Sequence, residues 1–327
     1  LKYQKVTLQD RSPLPDTPLQ TELAAIRNGA AIYPLTDRAF LRITGPDATR
    51  WLNGMVTNNI KDLAPGEGNY NFLLNAQGRI QGDCTIYREP GEEEPVFLVE
   101  TDKSQIDTIH QLLDKFIIMD DVELASVMSE HNGLVLLGPG AIPLVETFYV
   151  GAGAPLRMFE FPSVDNTTTM LLSPQFGEVP QFELFDLGRF EFPTAKVISA
   201  QAIEAHRILS ATPKYGIDIR NTETARDLPQ ETGQTHALHF AKGCYLGQEI
   251  VERIRSRGQV HRTFTQFHLT GTLPDLPARL EANGKPAGEL TSAIQIGDDI
   301  VALGYLRREA ATLPLTYPGG TATPNLT

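Results

Sequence analysis

Cysteine is scarce in this chain, with two in 327 residues, and there is a single Trp. The two cysteines stand 160 positions apart, which makes no disulfide framework. Without a secretory signal both read as free thiols of a reducing compartment. No apolar run approaches the roughly 18 residues of a membrane-spanning helix. The opening LKYQKVTLQDRSPLPDTPLQ is polar and Pro-rich and has no apolar signal-peptide core. A cytoplasmic protein without a membrane partner is the expectation. Positive charge is short too: the formal net charge of −12 argues against a direct nucleic-acid or anionic-lipid partner. LGPGAIPL carries glycines but neither the spacing nor the lysine of a phosphate loop. The G-x-S-x-G elbow of a hydrolase is missing. His236, His239 and Cys244 lie close in sequence, but no fourth ligand and no C-x-x-C pair accompany them, so no resident metal is expected.

What is present is a mixture of hairpins and short helices. TPLQTELAAIRNG reads as a helix stopped by Gly29 in a left-handed cap. GPDATRWLNGMVTN reads as a second helix with Pro46 near its first turn. NYNFLLNAQGRIQGDCTIYRE is a hairpin turning at NAQG. DKSQIDTIHQLLDKFI carries Ile106, Ile109, Leu112, Leu113 and Phe116 on one helical face. Strands at PVFLVET, VELASVMS, GLVLLG, TTTMLLS and QFELFD, with helices AIPLVETFY and SAQAIEAHRILSAT, complete an alternation whose hairpins imply antiparallel sheets. After about residue 258 short runs punctuated by Gly, Pro and Asn predict a small all-β barrel. The expected division is 1–258 for two interleaved α/β lobes and 259–327 for the barrel. The closing YPGGTATPNLT reads as a frayed tail.

Chemistry concentrates in AKGCYLGQEIVERIRSRG, residues 241–258. Between 242 and 262 five basic residues face two acids, a net +3 inside an acidic chain. The bland reading is a solvated surface strand with alternating charges; the sharper one is an anion-recognition surface. Cys84 sits in an alternating strand pattern and reads as a packed thiol. Cys244 lies between Gly243 and Gly247, which permit tight turns and close backbone approach. A thiol reacts as thiolate, and a cation such as Lys242, two residues away, favours that form. Gln248 offers a donor and an acceptor, and Glu249 a base.

KGCYLGQE, Lys242 to Glu249, closely resembles the signature of the YgfZ family of folate-binding proteins, relatives of the glycine-cleavage T-protein. HRILSATPKYGIDIR and LPQE resemble the family's preceding block through Arg207, Pro213, Gly216, Asp218, Leu228, Pro229 and Glu231. GPDATRWLNGMVTNNI with GEGNYNFLLNAQGRI resembles its opening, and GKPAGELTSAIQ with ALGYLRRE its C-terminal barrel. The resemblance implies an α+β, three-lobed T-protein-like fold: two antiparallel α/β lobes and a C-terminal β-barrel around a central folate cavity. It implies a tetrahydrofolate-binding accessory protein for iron–sulfur cluster assembly or repair, and through cluster enzymes a link to tRNA modification. Its partners would be folate and iron–sulfur proteins or assembly factors. Lys242 and Cys244 fall on the signature lysine and cysteine, the expected catalytic pair. Asp83, Asp218 and Glu231 are candidates for pterin nitrogens, Tyr245, Gln248 and Glu249 for further cofactor contacts, and Arg253 and Arg255 for the glutamate tail of folate.

Two alternatives stay open. T-proteins carry an R-T-G-Y-T-G-E tract, whereas PQFGEVPQFELFDLGRFEF occupies that place here. They also tend to have paired aspartates where GRIQGDCTIY keeps only Asp83, with Gly82 as its neighbour. An aminomethyltransferase using tetrahydrofolate is therefore the second reading. A non-enzymatic, folate-gated module that docks on a partner is the third.

Overall fold

The computed structural model describes residues 17–91, 94–127, 133–147, 157–162, 168–173, 179–185, 192–222, 226–258 and 260–325. The polar N-terminal segment read from the sequence lies almost wholly outside them. In chain order come α1 (Pro18–Asn28), β1 (Ala31–Leu35), β2 (Arg38–Thr44), α2 (Ala48–Met55), β3 (Gly68–Leu74), β4 (Ile80–Arg88), β5 (Phe97–Asp102), α3 (Ile106–Asp114) and β6 (Glu123–Val127). Next are β7 (Gly133–Leu137), α4 (Ala141–Val145), β8 (Arg157–Pro162), β9 (Thr168–Ser173), β10 (Gln181–Phe185), β11 (Lys196–Val197), α5 (Ala200–Leu209) and α6 (Gln248–Arg257). The last strands are β12 (Arg262–Gly271), β13 (Ala278–Ala282), β14 (Lys285–Ile296), β15 (Asp299–Arg307), β16 (Leu315–Tyr317) and β17 (Gly320–Asn325).

The first sheet runs β3-β4-β5-β2-β6, with each neighbouring pair antiparallel. The second runs β11-β1-β7-β10-β9-β8 and is antiparallel except for the short β1–β11 pair. Because β1 joins the second sheet and β2 the first, the two lobes interleave. Ala48, Trp51, Leu52 and Met55 of α2, and Ile106, Ile109 and Leu113 of α3, bury their apolar stripes on the first sheet with Leu41, Ile43 and Val99. α1 and α5 pack on the second sheet, where Ile294, Ile296, Val301 and Leu303 of the barrel join the same core. The barrel is thus docked by apolar burial. Phe40 and Phe185 meet edge-to-face across the two sheets with ring centroids 4.9 Å apart.

The strands β12-β15-β14-β13-β16-β17 close a barrel around its own core of Phe267, Leu280, Leu290 and Leu306. The closing segment, expected to fray, instead supplies β17, which pairs with both β12 and β16 and seals the barrel. Closure satisfies two strand edges at once. The bland alternative of a surface strand over 242–262 does not hold, since 248–257 is α6. Its alternating charges suit a strand, but Ile250, Val251 and Ile254 recur at helical spacing. Val251 is fully buried, and Gly258 ends the helix in the left-handed region with its N–H on Ile254 O. Gly29 does stop α1, with its N–H on Ala25 O, but its φ is −135°, so its cap is not the left-handed one expected.

Candidate site at the Cys244 loop

Residues 236–247 run as a loop over the end of α2 and the 56–58 turn. The Thr57 hydroxyl donates to Ala237 O, the His239 N–H to Thr57 O, and the Asn58 amide to both His236 O and Tyr70 O. Lys242 is a further pin. Its Nζ donates to Val56 O and Asn58 O at 2.5 Å each and lies 5.1 Å from the Tyr245 ring centroid. Burial pulls the Lys242 ammonium down to about 7. Tyr245 is buried, and burial lifts its hydroxyl to about 12. The Leu246 N–H closes the loop on Gly54 O.

Between these inward-turned neighbours Cys244 is exposed and Gly243 sits at φ 97° in open space. The loop therefore displays a thiol on a pinned frame. Gly247 answers a different need: at φ 83° its Cβ would stand 2.5 Å from Asn75 O in the β3–β4 turn. The close backbone approach expected of this glycine is to a neighbouring turn. Cys84, by contrast, is 3% exposed, and burial pushes its thiol well up, so it is the inert one.

Asp83 lies on β4 across the hairpin from Phe72. The Tyr70 hydroxyl donates to its Oδ2 at 2.5 Å and the Gln105 amide to its Oδ1 at 2.8 Å, while Gln105 Oε1 accepts from the Asp83 N–H. Burial raises this carboxyl above its usual range despite those donors. The Tyr70 ring stands 5.5 Å from that of His236, and Asn58 joins Tyr70 O to the carbonyl that Lys242 grips. Asp83 and the Cys244 loop are thus brought together through Tyr70, His236 and Asn58. The neighbouring Gly82 is a tight position: a Cβ there would lie 3.1 Å from Ile109 and 3.3 Å from Gln105 Oε1, so a second carboxylate would require those side chains to give way.

The other expected carboxylates belong elsewhere. Asp218 is fully buried and accepts from Arg207, the Lys214 N–H, Thr291 and Ser292, two bonds on each oxygen. Both oxygens are filled, which makes it the tie between α5 and β14 rather than a pterin acceptor. Glu231 caps its own turn at the Leu228 N–H and pairs with Arg262 at 3.2 Å. Arg262, counted with the basic surface, also pairs with Asp227 and Glu289 and stacks 4.4 Å over Tyr305. It serves the barrel seam. Gln248 uses its side-chain oxygen on the Tyr245 N–H, and Glu249 lies exposed in the first turn of α6. Arg253 and Arg255 are exposed on α6, with Arg255 stacked 4.2 Å over Phe240 and 3.7 Å from Glu252.

The sequence reading passed over a buried cluster at the seam of the two sheets. Arg38 on β2 reaches Glu100 on β5 at 3.0 Å and Glu183 on β10 at 3.1 Å, and both acids are nearly inaccessible. Burial, with Glu183 alongside, pushes the Glu100 carboxyl up to about 8. The Tyr87 hydroxyl is buried with no hydrogen-bond partner among the described residues. A usable signal existed: Glu183 interrupts the otherwise apolar FEL of its strand, and a charge in such a run calls for a partner.

The GCVT N-terminal domain matches residues 3–172. The mitochondrial iron-sulfur cluster assembly factor IBA57 of Mus musculus is 28% identical over 302 residues, covering 86% of this chain and 79% of that protein. The IBA57 homolog of Neurospora crassa is 27% identical over 268 residues, but this chain spans only 56% of its length. An aminomethyltransferase of Halalkalibacterium halodurans is 24% identical over 262 residues, 75% of this chain and 69% of that one. Among solved structures, the glycine cleavage system aminomethyltransferase T of Bartonella henselae superposes with a TM-score of 0.78 at 18% identity, over 93% of this chain and 86% of the other. That likeness establishes a shared fold: two α/β lobes with a terminal barrel.

Proposed function

The chain belongs to the family of the GCVT N-terminal domain, and on that premise we propose that it is a tetrahydrofolate-binding accessory factor for iron–sulfur cluster assembly or repair. One observation carries the reading: an exposed thiol on a loop pinned by Lys242, a loop that Asn58 and Tyr70 tie to the part-buried carboxylate of Asp83. An aminomethyl-transfer site needs no such thiol. A factor that meets a cluster does, because thiolate is the ordinary protein ligand of cluster iron. The names of the mouse and Neurospora relatives support the same direction.

The donor set around Asp83 fits a pterin. The pyrimidine edge of a pterin offers two parallel N–H donors, which suit one carboxylate. Each Asp83 oxygen takes one bond from the protein, leaving a lone pair on each. Asp218, with both oxygens filled, does not fit. Folate when bound would supply a one-carbon carrier; the chain's own part is to hold the pterin edge at Asp83 and present Cys244. In this reading Cys244 acts as a transient ligand to an iron of the passing cluster. Lys242 positions the thiol by fixing the loop, and the exposed Arg253 and Arg255 remain the proposed contacts of the glutamate tail.

Calorimetric titration with tetrahydrofolate on wild type, Cys244→Ser and Asp83→Asn tests both halves. Binding should persist in Cys244→Ser and weaken about tenfold or more in Asp83→Asn, since one charge-assisted pair is lost. Cys244→Ser should at the same time fail to support a cluster-dependent enzyme in cells lacking the wild-type chain. No folate binding by the wild type would sink the folate half. Full support by Cys244→Ser would sink the thiol half.

The aminomethyltransferase reading retains one favourable observation, the Asp83–Tyr70 pair as an acid–base couple. It requires turnover from an aminomethyl-lipoyl carrier that is indifferent to Cys244→Ser.

A further inference from the structure

After α3 the chain turns through Phe116–Asp121, and two large apolar side chains point outward: Ile118 is 81% exposed and Met119 93%. No other large apolar residue among those described exceeds 67%. The turn is held firmly. The Phe116 and Ile117 N–H groups bond back to Leu113 O and Asp114 O, and Phe116 and Ile117 pack against the core of the first lobe. The Trp51 indole donates to Phe116 O at 3.1 Å, Arg50 pairs with Asp120 at 2.6 Å, and the Asp121 N–H bonds to Asp47. Exposure is therefore a fixed display.

The same helix, α2, carries the Cys244 loop. Trp51 anchors the Ile118–Met119 turn, and Gly54, three residues on, accepts the Leu246 N–H. Three residues of helix rise span about 4.5 Å. Leu246, Phe116 and Ile117 pack against one apolar cluster. The Cys244 loop and the apolar tip are therefore both fastened to α2 and to one apolar core. The tip's surroundings are acidic: Asp47, Asp114, Asp120, Asp121 and Glu123 stand against Arg50 and Lys115.

We propose that Ile118 and Met119 form the docking tip for the protein partner that meets Cys244, a cluster carrier whose contact surface is an apolar recess rimmed by Lys and Arg. This rests on the reading of Cys244 given above. Rigid apolar residues at the centre of an interface carry most of its affinity, and a charged surround steers and selects the partner. A basic rim answers the acids of the turn. A second copy of this chain would set acid against acid, so the occupant is a different protein.

The probe is a [2Fe–2S]-loaded carrier protein from the same organism, titrated onto the full chain. Ile118→Asp with Met119→Asp should weaken binding by about tenfold or more, as loss of a central anchor does. Met119→Leu should keep it, and added salt should weaken wild-type binding. Tetrahydrofolate binding by the double variant reports that it is folded. The matched pair Leu273→Asp and Leu276→Asp, exposed on the barrel, should leave carrier affinity unchanged. Equal affinity of the tip variant and the wild type, or an equal loss in the barrel variant, overturns the docking tip while sparing the reading of Cys244. A wild-type chain that binds no carrier overturns that reading, and the tip with it.

Discussion

Cys244 sits between two residues whose side chains turn inward, and that arrangement sets its role. Lys242, expected to act on the thiol directly, spends its ammonium on Val56 O and Asn58 O. Lys242→Met removes a charged donor and strands two carbonyls. It should lower stability by about 1–3 kcal/mol in urea titration and abolish cluster support although Cys244 remains. A Lys242→Met protein with wild-type stability would mean that the pin is not structural. Glu100 makes a second residue-scale case. Its folded pKa of about 8 lies above the ordinary 4.5 of a free glutamate, so the folded state holds a proton that the unfolded state releases. The stabilisation is complete below pH 4.5 and lost as pH rises toward 8, with a slope of at most about 1.4 kcal/mol per pH unit for one proton. Glu100→Gln should flatten the pH dependence of the unfolding midpoint across that window. An unchanged slope would assign the proton to another group, with Asp83, also raised, the next to substitute.

At the scale of elements, the β3–β4 hairpin and the start of α6 are one unit. Phe72, Leu74, Ile80, Tyr245 and Val251 share a core, and Gly247 lies against the hairpin turn. Gly247→Ala combines a left-handed φ with a Cβ 2.5 Å from a carbonyl oxygen. The cost should be about 2 kcal/mol or more, and amide exchange should quicken in both the 75–80 turn and the first turn of α6. Gly243→Ala shares only the strain, since nothing crowds its Cβ, and should cost about 1 kcal/mol. Similar losses at the two sites would show that crowding at the hairpin turn counts for nothing. The hairpin was legible because NAQG and period-two alternation act within a few residues. The packing of α6 was not, because the face it buries is set by Gly78, far away in the chain, whose missing Cβ makes room for Ile250.

For the whole molecule, the seams are ionic as well as apolar. Arg262 joins the barrel to Asp227 and Glu231, while Arg207 and Asp218 join α5 to β14. Removing one partner of a buried network leaves the others uncompensated, so Arg262→Met should destabilise by about 3–5 kcal/mol. Its thermal unfolding should split, with the barrel separating from the lobes. A single sharp transition at the wild-type temperature would show that the apolar contact of Ile294, Val301 and Leu303 with the second sheet suffices alone.

Local pattern alone determined much of this protein: the hairpin, the helical stripe of α3 and the run of short barrel strands. These depend on residue spacing and turn chemistry, which act over a handful of positions. Only the tertiary structure decided which charges are spent inside the molecule. Asp218 and Glu231 read as pterin ligands and Arg262 as part of a basic surface, yet each meets partners drawn from other segments, while Arg38, Glu100 and Glu183 meet across two sheets. A carboxylate's role is fixed by its desolvation and its donors, and those come from chain crossings that no short stretch of sequence contains.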